Sequence, residues 1–411
     1  KENGMTANED ECNAEMQKQK ERARNAASVE TTDWVELHDG TSEFVGYDLT
    51  ECDTEILKYR KVTQKKNTFY QIVLSRTPFY AEMGGQVGDR GVLTCGDDKI
   101  EVFDTKRENN LPVHLVKKLP ADVTETFHAS IDVANRKAIS CNHSATHILD
   151  YALRTVLGKH VEQKGSYVDG KLLRFDFSHF SKMTTEEIRK VEHLANDIIR
   201  QAIPLEEHRD MPIDDAKALG AIALFGEKYG DRVRVVKFGP SVELCGGTHV
   251  QNTGNIGMIK ILSESSIAAG IRRIEAITGE AVEDALDHFI DTLNEIKARL
   301  NNAPDALVAI QKYIAENNNL RHEVEGFIQD QVNTFKKVSL ENAKDINGIK
   351  VATLFGQIVP DVAKGVAFAF KAEKLPNTVF LAATHDSGKP MLTVQVSEDL
   401  VKSGLNAGKI V

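Results

Sequence analysis

The chain has 411 residues, a formal net charge of −10, 41% hydrophobic and 27% charged residues. This implies two or three domains of about 150 residues each and excludes both a disordered chain and a generally basic nucleic-acid coat. No run approaches the roughly 18 consecutive apolar residues of a bilayer crossing, and Lys1-Glu2-Asn3-Gly4 has no apolar signal core, so a cytoplasmic protein with no membrane partner is expected.

Residues 1–32 read as a helical linker, since Met16 to Ala27 is built almost wholly from Gln, Lys, Glu, Arg and Ala. Over 33–132, short β-rich runs such as Phe69–Leu74 and Gly91–Thr94 alternate with turn signals such as Asp39-Gly40 and Gly96-Asp97-Asp98. A β-barrel is the expected architecture there. Over 133–280 the texture changes. Ala138 to Leu157 and Thr184 to Ile203 carry apolar residues at helical spacing, the second with an acidic start, while Leu172–Phe177, Val233–Phe238 and Ile256–Leu262 read as strands. Helices packed on a sheet, an α+β unit, follow.

Residues 281–343 predict an antiparallel helical hairpin or coiled coil. Leu286, Phe289, Leu293, Ile296 and Leu300 recur at intervals of three and four, Asn301-Asn302-Ala303-Pro304 interrupts, and Leu320, Val324, Phe327, Phe335 and Val338 largely resume the stripe. That stripe is expected to bury within the hairpin or against a second subunit, giving a homodimer through 281–411. In 344–411 the strand-like runs Val351–Phe355, Val379–Ala383 and Leu392–Val396 predict a small α/β domain, read as truncated because the chain lacks an initiator Met and stops at Gly404 to Val411. The fold class is therefore α+β multidomain.

Chemistry concentrates at Cys141-Asn142-His143-Ser144-Ala145-Thr146-His147, placed at the start of a predicted helix. Positions i and i+4 stack on one helix face, so His143 and His147 offer two imidazoles to one point. Either residue alone is as readily a polar group near a helix start, and Ser144 stands where the His-Glu-x-x-His metalloprotease motif requires its base. A second cluster, Cys245-Gly246-Gly247-Thr248-His249, places a thiol and an imidazole around a glycine turn. Read together, His143, His147, Cys245 and His249 make a complete tetrahedral zinc set. Five scattered cysteines in so long a chain point to ligand or nucleophile chemistry rather than to disulfides. The glycine cluster Thr77 to Asp89 lacks the Lys-Ser or Lys-Thr of a phosphate loop; it reads as a connection needing positive φ or as a loop touching a ligand.

These residues carry a family resemblance. His143-x-x-x-His147 with Thr146, Val161 to Ser166, Leu173 to Phe177, Cys245 to His249 and Ile271-Arg272-Arg273-Ile274-Glu275, in this order, resemble the carboxy-terminal part of alanyl-tRNA synthetases across essentially the whole chain. The resemblance implies a β-barrel, a zinc-containing editing domain, a helical hairpin and a globular C-terminal domain, without the ATP-dependent aminoacylation core of the full ligase. It implies proofreading, the hydrolysis of Ser-tRNA(Ala) and Gly-tRNA(Ala), with the acceptor end of tRNA(Ala) as partner. Thr146 and Gln163 are the candidates for the polar contact or for holding the water. Four protein ligands would close the zinc site and three would leave it open. Residues 344–411 carry eight Lys against six acidic residues, so tRNA contact has to come from local patches, Arg272 and Arg273 among them. The competing expectation is a tRNA-binding and dimerisation module with little turnover.

Overall fold

Alternating burial along the strands of residues 29–131 sets up one curled sheet: in Asp98–Glu108, Ile100, Val102 and Thr105 point inwards and their neighbours outwards. A computed structural model describes residues 29–64, 67–223, 229–386 and 388–411. The pairing order in this sheet is Val29–Thr31, Ile56–Gln64, Asn67–Leu74, Leu111–Val116, Asp98–Glu108, Gly91–Cys95, Phe127–Ile131, Glu51–Thr54, with Val35–Glu36 also on Ile56–Gln64. The expected barrel is not closed by a ladder, because Val29–Thr31 and Glu51–Thr54 end the order and do not pair with each other. Glu51–Thr54 instead runs on into Ile56–Gln64 across Glu55, so one bent stretch of chain serves two distant places in the sheet. The sheet curls around Ile56, Ile72, Leu74, Phe79, Leu93 and Phe127. The helical linker expected over 1–32 falls on residues outside the described ones up to residue 28; Val29–Thr31, within the same stretch, is a strand paired with Val62–Gln64.

Helix α1 (Val133–Leu157) begins five residues before its apolar periodicity does, because Asp132 caps it by accepting from the Asn135 amide at 3.0 Å. Helix α2 (Thr185–Arg200) starts with a capping box between Thr184 and Glu187. Both lie on a sheet ordered Gln163–Val168, Leu173–Ser178, Ile271–Thr278, Ile259–Ala268, and share with it a core that includes Ile148, Leu149, Phe175, Phe177, Ile198 and Ile274. A second sheet of Glu206–Pro212, Arg232–Phe238 and Ser241–Leu244 stands beside them, with the short helix α3 (Ile213–Ala218) between its first two strands.

The chain divides into two compact units, Lys1–Phe289 and Ile290–Val411. Helices α4 (Glu280–Arg299) and α5 (Ala306–Glu341) meet at an elbow where Asn301 and Asn302 take left-handed φ of 56°. The expected mutual burial of their stripe is not observed: Phe289, Leu293, Leu320 and Phe327 are all exposed. The far end of α5 is drawn elsewhere, where Ile328, Val332 and Phe335 pack on helix α6 (Pro360–Glu373) and the C-terminal sheet. That sheet runs Lys344–Ile346, Ile349–Gln357, Thr378–Asp386, Lys389–Val396, and α6 is the crossover between its parallel pair, Ile349–Gln357 and Thr378–Asp386. The three strand-like runs of the sequence fall on strands of this sheet, which with α6 makes an α/β arrangement.

Candidate metal centre

Helix α1 is buried along most of its middle, and that stretch is unusually polar: Ser140, Asn142, His143, Ser144, Thr146 and His147 are all buried. Buried polar groups need partners, and most of these have them. Asn142 donates to the Asp169 carbonyl at 2.8 Å and accepts from the Thr278 hydroxyl at 2.7 Å. Ser140 donates to the Thr248 hydroxyl at 2.9 Å. His143 therefore lies ten residues into the helix rather than at its start, with His147 one turn further on.

The second cluster leaves the strand Ser241–Leu244 as a turn pressed against α1. At Gly247 any Cβ would collide with the His143 ring, which explains a glycine there. Arg234 holds the turn from beneath, donating to the carbonyls of Cys245 at 2.7 Å and Gly247 at 2.8 Å, and pairing with Glu207 at 2.5 Å. The guanidinium stacks 4.1 Å from the Tyr47 ring, and the Tyr47 hydroxyl donates to the Gly246 carbonyl at 2.6 Å.

In consequence the donor atoms of His143, His147, Cys245 and His249 lie within 4.8 Å of one another. Cys245 Sγ is 3.4 Å from His143 Nε2 and 3.3 Å from His249 Nε2. Zinc bonds of roughly 2.0–2.1 Å to nitrogen and 2.3 Å to sulfur imply a tetrahedral edge near 3.5 Å. The surrounding hydrogen bonds orient the rings. Gln86 Oε1 accepts the Thr248 amide at 2.9 Å and lies 2.6 Å from His143 Nδ1, so Nδ1 carries the proton and Nε2 keeps its lone pair. Ser144 Oγ accepts the Val250 amide at 3.1 Å and bonds His249 Nδ1 at 3.1 Å. His147 differs: its Nε2 stands 3.4 Å from Glu243 Oε2, and its buried Nδ1 has no hydrogen-bond partner. An orphaned imidazole nitrogen among a thiol and two oriented imidazoles fits a zinc-type ion.

The electrostatics agree. Burial, with the Arg234 charge nearby, pushes His143 down to about 3. Burial likewise holds His147 and His249 well below the ordinary imidazole range, so all three stay neutral donors. Burial lifts Asp150 to about 6, and burial plus the Asp150 charge lifts Glu243 well above the usual carboxylate range.

Beside the cluster opens a cavity of about 440 Å³. Thr146 and Gln163 both line it, together with His143, His147 and Cys245. Thr146 Oγ1 donates to the Asn142 carbonyl at 2.9 Å. Arg272 and Arg273 are not in the lining. Arg272 is paired with Glu264 at 2.5 Å, and Arg273 meets Asp176 through two hydrogen bonds of 2.7 and 2.8 Å. Sequence reasoning missed Gln86, Glu243 and Arg234. Glu243 had a signal, since strand alternation places it on the same face as Cys245 two residues on. The glycine cluster proves to be both a positive-φ connection and a loop at the site: Gly84 and Gly85 have φ of 62° and 86°, and Gln86 reaches the cluster.

The family model described as the threonyl and alanyl tRNA synthetase second additional domain matches residues 233–275, and one described as tRNA synthetases class II (A) matches residues 1–135. Among curated relatives, an alanine–tRNA ligase of Bacteroides fragilis is 59% identical over 411 residues, all of this chain and 47% of the relative. Those of Parabacteroides distasonis and Cytophaga hutchinsonii are 58% and 44% identical, again over all of this chain and 47% of each relative. The chain thus spans about half the length of these relatives. No described helix is long and apolar enough to cross a membrane.

Proposed function

The chain belongs with the alanine–tRNA ligases, of whose length it spans about half, and on that premise we propose that it carries a zinc-dependent proofreading hydrolase that cleaves Ser-tRNA(Ala) and Gly-tRNA(Ala). The observation that carries this reading is the convergence of His143, His147, Cys245 and His249 within 4.8 Å at the wall of a cavity of about 440 Å³, a size suited to a small ligand such as an aminoacyl-nucleoside. We assign the hydrolytic step alone; the ligation in the relatives' name is that of proteins about twice as long.

The reaction adds water across the ester, releasing the free amino acid and the 3′-hydroxyl of the tRNA. A zinc ion held by the four residues would order the pocket, and with one ligand displaced it would supply a Lewis acid beside the ester. The chain's own residues supply discrimination. The Thr146 hydrogen is committed to the Asn142 carbonyl, so toward the cavity the hydroxyl presents a lone pair. That lone pair accepts from a seryl hydroxyl and finds nothing on an alanyl side chain. A site that hydrogen-bonds a hydroxyl separates the seryl ester from the alanyl one that lacks it, whereas an apolar pocket separates near-isosteres poorly; the glycyl ester gains nothing from this contact. Gln163, half-buried at the cavity edge, has both donor and acceptor to hold the attacking water. Gln86 keeps His143 in the tautomer whose Nε2 binds metal, and Ser144 orients the His249 ring.

The test is seryl-tRNA hydrolysis by the purified chain with metal analysis. Cys245→Ala is expected to lower both zinc content and rate. Thr146→Val is expected to lower kcat/KM for the seryl ester by about 10- to 100-fold, the loss of one good hydrogen bond at the reacting substrate, with zinc retained. Undiminished zinc in Cys245→Ala contradicts the ligand assignment. A second reading, a tRNA-binding and dimerisation module, draws on the exposed stripe of α4 and α5, and absent turnover with intact zinc would favour it.

A further inference from the structure

The cavity beside the metal cluster accommodates one aminoacyl-nucleoside, so the rest of a single-stranded 3′ end has to leave across its rim. Three arginines line that cavity. Arg232 is paired with Asp210 at 2.6 Å, and Arg234 with Glu207 and two carbonyls of the cysteine turn. Arg107 differs. It is exposed, its guanidinium rests on the Met83 sulfur and donates to the Asn110 side-chain oxygen at 3.1 Å, and among the described residues it has no carboxylate partner. Among the described residues, its charge is therefore the arginine charge at this rim not already neutralised by an acid.

Arg107 also lines a second, smaller cavity of about 160 Å³. The two cavities share Tyr80, Met83, Arg107 and Gly246. The smaller one is walled by half-buried Phe44 and Tyr47, whose rings meet edge to face at 4.9 Å, and by buried Tyr80, 6.2 Å from Phe44. A guanidinium shared by a polar cavity at a metal cluster and an aromatic cavity follows the order of a nucleic-acid strand, in which each phosphate separates two bases. Phosphates favour guanidinium groups, and bases stack on aromatic side chains whatever their sequence.

We propose that the cavity bounded by Phe44, Tyr47 and Tyr80 is a subsite for the penultimate base of a single-stranded RNA 3′ end, and that Arg107 binds the phosphate joining that nucleotide to the terminal one. This rests on the hydrolase reading and deepens it. The segment of residues 29–131 thereby contributes to substrate binding, through Phe44, Tyr80 and, on the curled sheet itself, Arg107.

The test uses the full chain, loaded with zinc, and three non-hydrolysable probes: the seryl 3′-amide of 3′-amino-adenosine, its 5′-phosphate, and the corresponding cytidylyl-adenosine dinucleotide. The 5′-phosphate is expected to bind about tenfold tighter than the nucleoside, and the dinucleotide about fivefold tighter again, in line with one phosphate contact and one stacked base. Arg107→Gln is expected to abolish the first gain and Phe44→Leu to reduce only the second, each leaving nucleoside affinity unchanged, which also shows that the variant is folded. Arg107→Lys should keep most of the phosphate gain. A phosphate gain that persists in Arg107→Gln, or a dinucleotide no tighter than the 5′-phosphate in the wild-type chain, overturns the subsite. If the wild-type chain binds none of the probes, the hydrolase reading itself fails and the subsite with it.

Discussion

At the scale of single residues, Gly247 and His114 show how environment decides what a side chain can do. A Cβ at Gly247 would strike His143, so Gly247→Ala is expected to displace that imidazole and abolish stoichiometric zinc while leaving far-UV circular dichroism unchanged; full zinc in this variant would show that the turn and helix are less tightly pressed. His114 lies in the curled sheet, fully buried, with Thr77 Oγ1 at 2.7 Å from Nε2 and the Ile72 carbonyl at 3.0 Å from Nδ1. Burial lowers its pKa to about 4. The unfolded chain, with His near 6.5, then binds more protons than the folded one between those values, so stability rises with pH through that window. It is complete above about 6.5, and protonation removes about 3 kcal/mol by pH 4. Urea midpoints measured from pH 7 to pH 4 should fall, and His114→Gln should flatten that part of the slope.

At the scale of elements, α1 does two tasks with one helix. Its first turns fasten the curled sheet, and its middle carries the two imidazoles. Arg136, buried on α1, meets Asp89 through Nε at 2.9 Å and donates to the carbonyls of Gly46 at 2.7 Å and Pro78 at 2.8 Å. Removing one member of a buried pair leaves the other charge uncompensated, at about 3–5 kcal/mol. Arg136→Met is expected to lower the unfolding free energy by that amount, and with it the melting temperature, and to loosen Gln86, three residues before Asp89, from His143. Thermal melts and zinc affinity measured together check this, and an unchanged melt would contradict the clamp. At α2 the capping box of Thr184 and Glu187 is worth less: Thr184→Ala should cost about 1 kcal/mol.

At the scale of the whole molecule, the stripe on α4 and α5 is not buried within the chain, which leaves burial against a second subunit as the other expectation that its periodicity carries. Phe289 is 63% and Phe327 67% exposed, and apolar rows of this kind mark interaction surfaces. The chain is expected to sediment as a dimer, and Phe289→Glu with Leu293→Glu to return it to a monomer with seryl-tRNA hydrolysis preserved. A wild-type chain that sediments as a monomer at micromolar concentration would remove the dimer expectation.

What could be read from sequence alone is what spacing dictates. His143 and His147 share a face because an α-helix turns every 3.6 residues, and Cys245 and His249 converge because two glycines permit a tight turn. Thr146 and Gln163 follow from the same residues through the family resemblance, and both line the cavity. Only tertiary structure decided the rest. Gln86 reaches His143 across 57 residues of chain, the acids beside Arg272 and Arg273 come from other strands, and the curled sheet stops short of a closed barrel because no ladder joins its end strands Val29–Thr31 and Glu51–Thr54. The reason is physical: periodicity reports which face of an element is apolar, a local property, whereas the partner that meets a face is chosen by the competition for burial among all elements at once.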